Sequence, residues 1–166
     1  MAAGATYTPI ATTTLGSAQA SVTFSSIPST YTDLILILKT GEDTTSDGNT
    51  FVQFNSDTST NYSMTQLFGD GSSASSARNT SQVKTGIYTN YGAGANTYGT
   101  GIAHIMNYAN TTTYKTMISR GNNETGTIAR IHLWRSTSAI NSIYMFLNSG
   151  NFKAGSMFTL YGILAA

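Results

Sequence analysis

The side chains able to do acid–base, nucleophilic or metal chemistry are few and scattered. His104 and His132 are the only histidines, and the chain has no cysteine. Zinc needs three or four nitrogen, sulfur or carboxylate donors at short spacings, or an HExxH pair, and neither histidine has such neighbours. In "GIAHIMNY" His104 shares a strand face with Ile102 and Met106, which predicts a hydrogen-bonded, half-buried ring rather than a metal ligand. The segment "EDTTSDGN" gathers Glu42, Asp43, Asp47 and Asn49 but lacks the closing bidentate glutamate of a calcium loop, so it reads as a solvated acidic turn.

Hydrolysis fares no better. Cleaving a glycosidic bond needs two carboxylates facing each other across a cleft. The acids Asp33, Glu42, Asp43, Asp47, Asp57, Asp70 and Glu124 lie nearly all in turn-like contexts that select no such pair. There is no G-x-S-x-G, and the glycine-rich "GDGSS" and "GAGANTYG" lack the lysine and the strand-to-helix setting of a phosphate loop. The expectation is a protein that is not an enzyme and that uses no metal and no cofactor.

Contact chemistry is better represented. In "TIARIHLWRSTSAINSI" strand alternation places Ala129, Ile131 and Leu133 on one face and Arg130, His132 and Trp134 on the other. The first set is expected in the core. The second joins the only tryptophan to a cation and an imidazole, a combination enriched at protein interfaces; the alternative is that Trp134 closes the core while Arg130 snorkels. Ten tyrosines raise a second possibility, carbohydrate binding, with Tyr88, Tyr91, Asn96 and Tyr98 in one glycine-rich loop as the candidate residues.

These groups need elements to hold them, and composition says which kind. Charged residues make up 9% of the chain, against roughly 25% in an ordinary soluble domain. With 40% hydrophobic content the core is ample, so hydroxyls and amides must cover the surface. A net charge of +1 excludes the long-range attraction of a nucleic-acid binder and suits a protein that sits in an assembly. The N-terminus has neither a basic region nor an apolar stretch, and the longest apolar run, Leu34 to Leu38, is too short for a bilayer, so neither a cleaved signal nor a membrane partner is expected.

Period-two patterning and β-branched or aromatic enrichment predict strands over 20–24, 33–39, 51–55, 62–68, 82–88, 101–108, 114–120, 127–134, 141–147 and 157–163. No helical stripe competes with them. The predicted fold is an all-β sandwich of two antiparallel sheets with about 8–10 strands, residues 15–166 forming one domain. Residues 1–14 are small and hydroxylic apart from Tyr7 and Ile10, and read as a first strand or as an extended N-terminal arm that orders against a neighbour. In the second case Tyr7 and Ile10 join the interface.

Four segments carry a resemblance: "YTPIATTTLGSAQASVTFSSIPSTYTDLILIL", "VQFNSDTSTNYSMTQLFGDG", "IMNYANTTTYKTMISR" and "LWRSTSAINSIYMFLNSGNFKAGSMFTLYGI". Together they cover most of the chain, which resembles the small β-sandwich virion proteins of tailed bacteriophages, with relatives in phages of cyanobacteria and marine bacteria. The pattern IP-x-x-Y-x-D-L and the closing F-x-A-G-S-x-F-x-L-Y-G-I are its most specific parts. The resemblance implies a jelly-roll module without catalytic residues. The function expected from it is a capsid decoration, or cement, protein: a homotrimer that stabilises the head by non-covalent contact with the major capsid protein, located on the virion surface after assembly in the host cytoplasm. The alternative is the receptor- or carbohydrate-binding tip of a tail fibre or baseplate, with a host surface glycan as partner.

Overall fold

The computed structural model describes residues 6–44, 48–89, 97–123 and 126–164, and among them there is no helix. In chain order the strands are β1 (Tyr7–Thr14), β2 (Ser21–Phe24), β3 (Asp33–Thr40), β4 (Asn49–Phe54), β5 (Tyr62–Gly69) and β6 (Ala74–Gln82). They continue as β7 (Thr85–Tyr88), β8 (Gly99–Met106), β9 (Lys115–Asn123), β10 (Gly126–Trp134), β11 (Ile143–Phe146) and β12 (Met157–Ile163). The large sheet has the order β1-β12-β3-β8-β9-β10-β5-β6 and the small one β2-β11-β4-β7, and every pairing is antiparallel.

The two-sheet all-β architecture is as expected. Eight strands against four is a lopsided division, however, and this order does not by itself trace the two Greek keys of a jelly roll. The observed strands exceed the expected number because one carries no apolar signal and another was ambiguous. β6, "ASSARNTSQ", is exposed along its whole length and is specified by its ladder to β5 alone. The stretch 82–88, expected as one strand, is cut after Gln82; its first residue ends β6 in the large sheet and its remainder forms β7 in the small one. Residues 7–14 are a first strand rather than a free arm, since β1 pairs with β12 from Tyr7↔Ile163 to Thr14↔Met157.

Strand alternation supplies the core. Leu34, Leu36 and Leu38 of β3, Ala103 and Ile105 of β8, and Phe158 and Leu160 of β12 face Val22 and Phe24 of β2, Val52 and Phe54 of β4, and Ile143 and Met145 of β11. The two most specific sequence patterns meet at one place in this core. Pro28 accepts a hydrogen bond from the buried Tyr108 hydroxyl, which fixes the approach to β3. Tyr31 lies over Gly162 of β12 so closely that a Cβ there would fall 2.2 Å from the ring. Asp33 then anchors the start of β3 by accepting from the Asn107 backbone N–H at 2.7 Å. In the closing pattern Gly155 turns the chain at φ +83°, and Ser156 is buried where its hydroxyl accepts from the Gly41 N–H at 3.1 Å. Both patterns thus serve to dock the last strand beside β3.

A second close approach sets the end of β7. Gly101 and Gly121 are direct partners on β8 and β9, and the chain at Tyr88–Thr89 crosses over them. A Cβ on Gly121 would stand 1.9 Å from the Tyr88 carbonyl oxygen, a backbone atom with no rotamer to escape into. Replacing Gly121 with Ala should therefore cost about 2–3 kcal/mol and lower the melting temperature by roughly 4–10 °C. Gly16→Ala, at a site with nothing within 4 Å, is the control and should stay within about 0.5 kcal/mol. Calorimetry on the two variants checks both.

Candidate assembly interface

β10 faces the other way round from the expectation. Its inward positions are Ile128, Arg130, His132 and Trp134, while Ala129 and Ile131 are exposed and Leu133 is half-buried. Arg130, His132 and Trp134, expected at an interface, lie instead between the sheets at 6%, 2% and 3% exposure. The physical reason is that each finds complete local partners inside, so burial leaves little polar capacity unmet.

Trp134 completes an aromatic cluster, with its ring 5.5 Å from Phe54 and 6.3 Å from Tyr62 between centroids. Its Nε1 donates to Asp57 Oδ2 at 2.7 Å. Burial raises the Asp57 pKa, but hydrogen bonds from Asn61, Trp134 and Ser59 outweigh it and hold the carboxyl below its ordinary value. Arg130 reaches from the large sheet to the small one: Nε donates to Gln66 Oε1 at 3.1 Å, and Nη1 donates to the Gly86 carbonyl at 2.7 Å and to Asn49 Oδ1. His132 bridges the same gap, Nε2 to Ser119 Oγ at 2.7 Å and Nδ1 to Thr85 Oγ1 at 2.5 Å. A neutral imidazole has one donor and one acceptor, and a hydroxyl can answer either, so this pairing suits the uncharged ring. Burial and the neighbouring Arg130 charge push its pKa down to about 3.

The other expected site residues are also placed. Ile10 is half-buried and packs against the core beside the register shift between Pro9 and Ala11. Tyr7 is 55% exposed, its ring edge-on to Tyr161 at 6.3 Å. Of the proposed sugar-binding loop, Tyr91 and Asn96 lie outside the described residues. Tyr88 is buried, with the Arg130 guanidinium 5.6 Å from its ring centre, and so offers no plate to a ligand. Tyr98 is tied back by its hydroxyl, which donates to the Ala154 carbonyl at 2.6 Å. Glu42, expected in a solvated turn, is buried beside Phe152, whereas Asp43 on the surface accepts two hydrogen bonds from Asn151. His104 is half-exposed and bonds Asp33 at 2.7 Å, on the face it shares with Ile102.

That face is where the molecule offers contact area. On the outer surface of the large sheet Ile37 stands opposite Ile102, and Ile118 opposite Ile131, with Leu67 opposite Ala129. Leu67 is 64% exposed and Ile131 57%. The band crosses β3, β8, β9, β10 and β5, a width of ~19 Å at ordinary strand spacing. A hollow of about 310 Å³ lies along it, walled by Ile37, Ile102 and Arg120. Sequence alternation alone could not select these residues, because it assigns the more apolar face of β10, Ala129, Ile131 and Leu133, to the core. The neighbouring strand does not decide it either, since Met117 and Ser119 accompany the inward set and Ile118 and Arg120 the outward one, an apolar and a polar residue on each face.

No family model matches the chain, and no curated protein matches it in sequence.

Two measurements test the inverted strand. Trp134→Ala should lower the unfolding free energy of the monomer by about 3–5 kcal/mol in a urea titration; unchanged stability would put the ring outside the core. For His132 the unfolded chain binds a proton near 6.5 and the folded chain only near 3, so the stabilising contribution is full above pH 6.5 and is lost as pH falls toward 3. The loss is on the order of 5 kcal/mol if fully expressed. Asp43, Asp57 and Asp70, held below the ordinary value of 3.8, weaken the fold only as pH falls through and below that value. Urea titrations between pH 6.5 and 3.8 should therefore show a decline in the wild type that His132→Gln flattens.

Proposed function

We propose that this chain is a non-catalytic virion protein, a capsid decoration module that attaches as a homotrimer to the major capsid protein of a tailed phage. The single observation that carries the reading is the apolar band on the outer face of the large sheet, Ile37, Ile102, Ile118, Ile131 and Leu67, on a surface with few charges. A patch of this kind on a near-neutral protein favours association through short-range packing over electrostatic steering.

The sheet edges support contact through the face. β1 carries Pro9 and a register shift, and β6 carries Arg78 at its centre, so a second strand adding to either edge meets a missing donor or a charge. The expected partners and location follow from the resemblance set out above, with the large-sheet face as the contacting surface.

The test has two arms. In purified particles the chain should be present in numbers that scale with the major capsid protein; a handful of copies scaling with tail proteins overturns the reading in favour of a fibre tip. A double variant, Ile118→Lys with Ile131→Lys, should remain folded, since both sites are exposed, yet fail to attach to heads lacking the protein. Undiminished attachment would remove the band from the interface.

A further inference from the structure

A different part of the molecule carries a ligand site. β7 is the free edge of the small sheet, and β6, exposed along its whole length, is a wall that the small sheet leaves uncovered. Between them opens a cleft of about 280 Å³. Its polar lining includes the amides of Asn49, Gln66, Asn79 and Gln82 with the cations Lys84 and Arg130. Each amide can donate and accept at once, which is what a pair of sugar hydroxyls requires. Arg130, more than nine-tenths buried, forms the floor, where it is held by Gln66, Asn49 and Gly86.

The rim adds an independent feature. On the outer face of the small sheet Tyr144 and Phe146 stack at 5.1 Å and 25°, and Phe146 and Phe51 lie 5.9 Å apart at 35°. All three rings are half-buried, so part of each is open to solvent. Lys84 joins the two regions. It lines the cleft, stands 3.9 Å over the Phe51 ring and 5.3 Å from Phe146, and is steadied by Asn148 Oδ1 at 2.6 Å.

We propose that this cleft and ring row bind an acidic saccharide, its carboxylate drawn to Lys84 at the cleft mouth and its apolar sugar faces laid across the open edges of Phe51, Phe146 and Tyr144. Amides alone would suit a neutral glycan; the Lys84 ammonium, above a floor that the internally bonded Arg130 keeps electropositive, makes the acidic class the better match. Single-stranded nucleic acid also combines rings with anions, but a chain of net charge +1 lacks the basic track its backbone demands. The site lies on the opposite side of the sandwich from the apolar band and does not depend on the proposed shell contact.

The experiment uses the whole chain and three acidic probes, trigalacturonate, an alginate trisaccharide and sialyllactose, with maltotriose as the neutral control. At least one acidic probe should bind, at least about tenfold tighter than maltotriose, in titration calorimetry. The binding should shift the amide resonances of Phe51, Lys84 and Phe146 and weaken roughly fivefold or more in Lys84→Met, a half-buried change that keeps the aliphatic stem beside the rings and removes only the charge. Galacturonate alone should bind more weakly than its trimer, because one ring cannot span the row. No binding by any acidic probe, equal affinity for maltotriose, undiminished affinity in Lys84→Met, or tighter binding of oligouridylate would each overturn the proposal.

Discussion

The two sheets are joined by a strip of polar side chains on one strand. At the β10 end of the sandwich, Arg130 and His132 take inward positions of the kind that Leu34, Leu36 and Leu38 occupy on β3, and they reach across to Asn49, Thr85 and Gly86 on the small sheet. Apolar contacts tolerate a slide of one sheet over the other, because dispersion has no direction. A buried guanidinium and a buried imidazole do not, since a shift of one residue would strand their donors away from water. The strip therefore fixes how the sheets register. It also accounts for the protonation state of His132, because burial disfavours the charged ring and Arg130, two residues away on the same strand, adds to that.

The same constraint decides what the outside of the molecule looks like. Once Arg130, His132 and Trp134 turn inward, strand alternation sends Ala129, Ile131 and Leu133 outward, and the ladder to β9 carries Ile118 with them. The apolar band is thus the geometric complement of the internal polar strip. Neither can change without the other, since a one-residue slip of β10 would exchange both sets at once.

This is also where the sequence was least legible. Most strands announce themselves, because β-branched and aromatic residues cluster in "DLILILK", "GIAHIMNY" and "MFTLYGI" between turns of glycine, asparagine and serine. β6 does not, because "ASSARNTSQ" buries nothing and exists by backbone pairing to β5. β10 was visible as a strand but not as an orientation. Hydropathy ranks Ile131 above Arg130, whereas the fold ranks sites by whether polar atoms find partners, and those partners, Gln66, Thr85 and Ser119, come from three distant segments. Of the glycan candidates, Tyr88 was hidden for a related reason: it reads as part of an open glycine-rich loop, whereas Arg130 and the crossing above Gly121 enclose it. The ring row of Phe51, Phe146 and Tyr144 was hidden because its members come from β4 and β11, which only the fold makes neighbours.

The scarcity of charge links these features. A protein with 9% charged residues keeps its surface wet through hydroxyls and amides, whose interactions fade within contact distance. Local clusters then stand out against a quiet background: Lys84 beside its rings, Arg120 beside the isoleucine band, Arg78 on the exposed edge. Each of these cations neighbours an apolar or backbone surface that would otherwise invite indiscriminate association, and a charge there makes wrong contacts costly while a partner with a matching anion is accepted. On so neutral a molecule, placing a few cations at the borders of its sticky surfaces is enough to separate specific docking from aggregation.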